Sequence, residues 1–118
     1  MALAFCVRMV KNNSYIARIS HQISNELLLR KTEEVALYGA TDVSPILYLA
    51  LKSTGIRVKG IWGRGKIGGK TAGFQVFPPE SLRGFSGPII IASVLGIRDK
   101  TDFLLTLGFK QSQIIRLA

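Results

Sequence analysis

The residues of this chain best suited to chemistry gather in two groups, and both point to phosphate. Gly39, Ala40, Thr41 and Asp42 form a small-residue bend after an apolar run, where a dinucleotide-type βα unit places backbone N–H groups against a pyrophosphate. That fingerprint is degenerate here: Gly39 takes its first glycine position, Thr41 the second and Ser44 the third. Thr41 adds side-chain atoms where a pyrophosphate would press on the backbone, and Asp42 puts a negative charge beside a helix N-terminus. The second group follows the next strand. Trp62-Gly63-Arg64 offers no carboxylate for ribose hydroxyls, which disfavours NAD. Arg64 and Lys66 instead suit a 2′-phosphate, a nucleotide diphosphate or a coenzyme A phosphate through charge-assisted hydrogen bonds. Ser93, ending a later strand, is placed to donate a hydrogen bond to the same ligand.

Other chemistry finds no support in the residue types. The chain has one Cys and one His and no clustered carboxylates, so no nucleophile with its base, no glycosidase-like acid pair and no metal-ligand set is expected. The expectation is a protein without catalytic residues of its own. Gly63 to Thr71 imitates a Walker phosphate loop with one residue too many, and no helix-forming sequence follows it. Tyr48 and Lys52 have the spacing of a short-chain dehydrogenase pair, but their helix would carry Tyr48 away from the strand ends. His21 lies inside a helical pattern with no second metal-ligand type nearby.

The elements that must position these groups follow from periodicity. Val35 to Tyr38 has no polar alternation, as a parallel strand buried on both faces requires. Gly39 then permits a tight turn, Ser44 is placed to cap a helix from about Ser44 to Thr54, and Pro45 suits its first turn. Strands follow at Arg57–Trp62, Gly73–Phe77, Pro88–Ser93 and Gln113–Leu117, with a brief helical turn at Pro79–Arg83 and a helix at Asp99–Leu107. Right-handed crossovers between them give one open parallel sheet of about five strands in the order 3-2-1-4-5, an α/β Rossmann-like fold. Ahead of it, Ile16, Ile19, Ile23 and Leu27 recur at helical spacing, predicting an amphipathic helix over residues 14–31. The expected organisation is therefore a helical segment at 1–31 and an α/β domain at 32–118. That leading helix must lie on something apolar: one face of the sheet, or its own copy in a homodimer.

Composition sets the outer limits. A chain of 118 residues, 47% hydrophobic and with a mean hydropathy of +0.28, is one folded domain with a buried core. Its longest uncharged apolar stretch, Pro88 to Gly96, reaches only about half of the roughly 18 residues of a membrane helix. The N-terminal run is broken by Arg8, which argues against a secretory signal, and an unpaired Cys6 fits a reducing cytoplasm. Sixteen Lys and Arg oppose seven Asp and Glu, and from Val43 to Pro79 six cations meet no acid. Such a stretch attracts phosphates, nucleic acid or an acidic surface, or simply keeps a face solvated. Nucleic-acid binding lacks a recognition helix and interleaved aromatic residues, and stays behind the other readings.

Glu34 to Ala40, the Gly55–Trp62 strand, Gly69 to Val76, Pro79 to Leu82, Pro88 to Ser93 and Ile114 to Leu117 together carry a resemblance. Residues 33–118 resemble the small Rossmann-like, CoA-binding-like domains that precede bacterial nucleotide-sugar dehydratases and sugar O-acyltransferases, or follow winged-helix segments in some bacterial regulators linked to polysaccharide genes. Gly39, Gly69, Lys70, Gly73, Pro79 and Glu80 match that pattern, whereas Thr41 replaces its second glycine and Gly63-Arg64 its acidic pair. The resemblance implies a sensing or accessory module that binds a nucleotide or cofactor of the nucleotide-sugar, NADP or CoA type. The alternatives are a vestigial crevice on a homodimerising interaction module, and a nucleic-acid-associated regulator using the basic face.

Overall fold

The computed structural model describes residues 2–39, 41, 43–64, 70–71, 74–93 and 95–117. Its elements are α1 (Ala2–Leu29), β1 (Glu34–Tyr38), α2 (Val43–Ser53), β2 (Arg57–Trp62), β3 (Lys70–Thr71), β4 (Phe74–Phe77), β5 (Ile89–Ile91), α3 (Ile97–Thr106) and β6 (Ile114–Ile115), with 3-10 turns at Pro79–Leu82 and Gln111–Gln113. The sheet order is β3-β4-β2-β1-β5-β6. All ladders from β4 to β6 are parallel, so the five strands read from the sequence stand in the expected order. β3 adds a short antiparallel edge on β4 that a two-residue strand in a glycine-rich stretch does not announce.

β1 is central because it can be buried on both sides: Val35, Ala36 and Leu37 are fully buried and Tyr38 is 1% exposed. Alternation divides the core. Val35 and Leu37 join Leu47, Leu51, Ile61, Ile90 and α1 residues on one face, while Ala36 and Tyr38 join Trp62, Leu82, Ile89, Ile91, Leu104 and Phe109 on the other. Each buried Leu or Ile contributes on the order of 1.5–3 kcal/mol. Between β1 and β2 the register slips by one residue, Val35 facing Val58 but Leu37 facing Ile61. Gly60 lies in the slipped segment, and a Cβ there would lie 3.1 Å from the Trp62 ring, so this glycine makes room for the indole.

α1 extends well beyond the predicted segment, starting at Ala2, because residues 2–13 contain no glycine or proline and are rich in helix formers. Its 28 residues run about 42 Å at 1.5 Å per residue, against about 16 Å for the 11 residues of α2. Ile16, Ile23 and Leu27 join the core on the α2 face, and the fully buried Ser20 and Ser24 let the two helices approach. Ser24 donates to the Ser20 carbonyl at 2.8 Å, while the Ser20 hydroxyl has no partner among the described residues. α3 begins two residues ahead of the predicted start, after Gly96 in the left-handed region (φ 64°). β5 and β6 are shorter than expected. Residues 111–113 coil into a 3-10 turn, and the Gln113 amide donates to the carbonyls of Phe85 and Gly87 at 3.1 Å each. None of the described helices is long and apolar enough to cross a membrane.

Candidate ligand crevice at the carboxyl edge

β1 lies between β2 and β5, so its carboxyl end is where the strand order reverses, the place at which open α/β sheets leave a crevice. Of the predicted site residues, the structure describes Gly39, Thr41, Trp62, Arg64 and Ser93; Ala40, Asp42 and Lys66 lie outside the described residues. Gly39 adopts φ 118°, donates its N–H to the Trp62 carbonyl at 2.6 Å, and would bring any Cβ within 3.3 Å of the Ala92 carbonyl oxygen. Glycine is thus required by backbone angle and by close approach.

The turn that follows is closed by its own hydroxyls. The Thr41 Oγ1 accepts from the Val43 N–H at 3.1 Å and donates to the Ala92 carbonyl at 2.5 Å, stitching the end of β1 to the end of β5. Ser44 Oγ accepts from the Thr41 N–H at 3.2 Å and donates to the Gly39 carbonyl at 2.6 Å. Ser44 N–H in turn donates to the Thr41 carbonyl at 3.2 Å. The expected capping role of Ser44 therefore belongs to Thr41, whose hydroxyl reaches the first helical N–H. Ser44 returns the bond as the third residue of a capping box does. The N–H groups of Thr41, Val43 and Ser44, which a phosphate at this turn would use, are already engaged.

Ser93 is 5% exposed and similarly occupied. Its hydroxyl donates to the Leu95 carbonyl at 2.7 Å and accepts from the Leu95 N–H at 3.2 Å, while Lys100 Nζ donates to the same carbonyl at 3.1 Å. α3 starts from Gly96 with no side-chain cap. Trp62 gives its indole N–H to Ser81 Oγ at 2.9 Å and packs its ring 5.7 Å from Phe77.

Arg64 is different. It is exposed, makes no ion pair among the described residues, and holds its guanidinium carbon 4.6 Å above the Phe103 ring of α3. Tyr38 stacks on the same ring at 6.4 Å between centroids. Burial pushes the Tyr38 phenol above its usual pKa of 10.0; Arg64 acts in the opposite sense and Glu80 adds to the rise. Sequence reasoning passed over Tyr38, Glu80 and Phe103 because they come from three separate elements. The available signal was a hydroxyl-bearing aromatic ending an otherwise aliphatic strand, a group that needs a partner when buried.

The other sites considered are remote. Lys52 lies 5.9 Å over the Tyr48 ring as an i,i+4 pair on α2. Among the described residues no group of three or more His, Cys, Asp and Glu could hold a metal. No protein-family model matches the chain, and neither a curated protein nor a solved structure does.

Proposed function

We propose that this chain is a non-catalytic Rossmann-like binding module that takes a phosphate-bearing nucleotide or cofactor at the carboxyl edge of its sheet. The anion is held on the α3 side of the edge and not at the β1–α2 turn. The observation that carries this reading is Arg64: a cation at the rim of the strand-order reversal, stacked on Phe103 and without a carboxylate partner among the described residues. A guanidinium so placed presents a planar, pre-oriented set of donors to a phosphate. The absence of an acid at the end of β2 favours NADP, coenzyme A or a nucleotide-sugar over NAD. The likeness of residues 33–118 to domains that accompany nucleotide-sugar enzymes and polysaccharide regulators agrees with a sensing or accessory role.

Calorimetric titration of the full chain with NADP, coenzyme A and UDP-glucose tests the reading. Saturable binding of at least one, lost in Arg64→Ala, supports it; no heat with any of them at millimolar ligand removes it. A second reading, homodimerisation through α1, draws on a groove of about 320 Å³ between α1 and α2, lined by Ala17, His21, Ile46, Leu49, Ala50 and Ser53. Leu49 in that groove is 65% exposed. Sedimentation as a strict monomer at high concentration excludes it.

A further inference from the structure

The last strand in the chain is also an edge of the sheet. β6 ends the order β3-β4-β2-β1-β5-β6, and among the described residues no strand pairs with its outer side. This edge is held firmly: Ile114 and Ile115 pair with Ile89 and Ile90, and the Gln113 amide just ahead of them donates to the carbonyls of Phe85 and Gly87 at 3.1 Å each. The Ile114 N–H returns to the Gln111 carbonyl, so the open edge begins beyond that bond. Beside the strand lies a groove of about 310 Å³, walled by Ile23, Leu27 and Arg30 of α1 and by Ser112, Ile114 and Ile115. Arg30 already has a carboxylate partner there, Glu26. The groove therefore offers apolar side chains next to an unpaired strand edge.

Alternation sorts the side chains of this strand between the two layers. Ile115 and Leu117 belong with the core that includes α1, whereas Ile114 belongs with the core that includes α3, which places Arg116 on the α3 side of the edge. Arg116 is exposed and makes no ion pair among the described residues. A cation on an edge strand keeps sheets from joining edge to edge. It does so against a second copy of this chain, which brings its own Arg116 and a net charge of +9, but it attracts a strand that carries carboxylates. We propose that the β6 edge and its groove dock an extended acidic segment of another protein, added to the sheet as a further strand. Main-chain hydrogen bonds to β6 supply the attachment, and side chains alternating along the added strand supply the selectivity. Its apolar residues lie in the α1 groove, and its carboxylates lie on the α3 side beside Arg116. Arg64 takes no part, so the proposal stands apart from the ligand reading above.

The test titrates the full chain with three blocked, fluorescently labelled peptides: one alternating Val and Glu, one alternating Val and Lys, and the Val–Glu peptide N-methylated throughout so that its backbone cannot donate. The Val–Glu peptide is expected to bind at least about tenfold more tightly than either of the others. Arg116→Glu, an exposed substitution that leaves the fold intact, should turn the preference toward the Val–Lys peptide. In amide NMR of the wild type, the Val–Glu peptide should shift Ile115 to Leu117 and the Ile23 to Arg30 stretch of α1 while leaving Gly39 and Trp62 unmoved, a readout that needs no variant. No binding of the Val–Glu peptide at millimolar concentration, equal binding of its N-methylated form, an unchanged preference in Arg116→Glu, or shifts confined to other surfaces would each overturn the proposal. Displacement of the peptide by oligothymidylate with shifts at the same amides would also overturn it, by showing a surface for any polyanion. None of these results touches the nucleotide titrations or the Arg64→Ala variant, so the ligand reading fails or survives separately.

Discussion

Two helices begin at the carboxyl edge of the sheet, and they are finished in opposite ways. At the start of α2, Thr41 and Ser44 spend their hydroxyls and N–H groups on each other, on Gly39 and on Ala92. At the start of α3, Gly96 turns the chain through the left-handed region and no side chain caps the helix. The first turn has the glycine and the place in the chain of a phosphate loop, but among the described residues the N–H groups of Gly39, Thr41, Val43 and Ser44 are already engaged. The second has no fingerprint in the sequence, and the helix it opens carries Phe103, the ring on which both the exposed Arg64 and Tyr38 lie. Position in a fold tells where a site can be, whereas the hydrogen-bond inventory tells whether anything is left to bind with.

The largest expected effect comes from opening the closed turn. Ser44→Ala removes the partner of both the Thr41 N–H and the Gly39 carbonyl in a fully buried position, and should cost about 2–3 kcal/mol in urea unfolding. Thr41→Val keeps the shape while losing the cap and the stitch to Ala92; about 1–2 kcal/mol is expected, because this residue is only half-buried. The two hydroxyls serve one turn, so the double variant should cost less than the sum of the two, with a coupling of at least about 0.5 kcal/mol. Strict additivity would mean that the turn is not a unit. On the open side, Arg64→Ala should alter unfolding by no more than about 0.5 kcal/mol while removing anion binding, since its side chain is exposed.

The smallest effect concerns pH. Burial raises the folded-state pKa of Tyr38 above the unfolded value near 10.0, so the folded chain keeps a proton that the unfolded chain releases. Its contribution is complete below pH 10 and declines as pH rises toward the folded pKa. Between pH 9 and pH 11, wild type should therefore lose more stability than Tyr38→Phe; equal losses would show that the phenol is better solvated than its burial implies.

The frame was legible because burial on both faces leaves a direct mark. The aliphatic runs Val35–Tyr38 and Pro88–Ser93, the glycine after the first, and the alternation of strand and helix were enough to order five strands. What periodicity cannot carry is the partner of a polar group. Thr41 and Ser44 are both good capping residues, and only the path of the chain decides which hydroxyl meets the Val43 N–H. Ser93 reads as a free donor until its carbonyl partner two residues on is known. Tyr38, Glu80 and Phe103 converge from a strand, a 3-10 turn and a helix, a contact with no spacing rule behind it. The start of α1 lies ahead of its expected place for a simpler reason: residues 2–13 show no clear stripe, yet nothing in them stops a helix.

The register slip that seats an indole over Gly60 has a practical consequence. Trp62 is the sole tryptophan of the chain, and its ring is held by Phe77, by the bond to Ser81 and by the β1 ladder at the rim of the crevice. Its fluorescence therefore reports on one corner of the molecule: a red shift on titration marks loosening of the Ser81 contact, and an unchanged spectrum during α1 truncation marks an undisturbed edge. The protein carries its own optical probe where the crevice forms, and no label needs to be introduced.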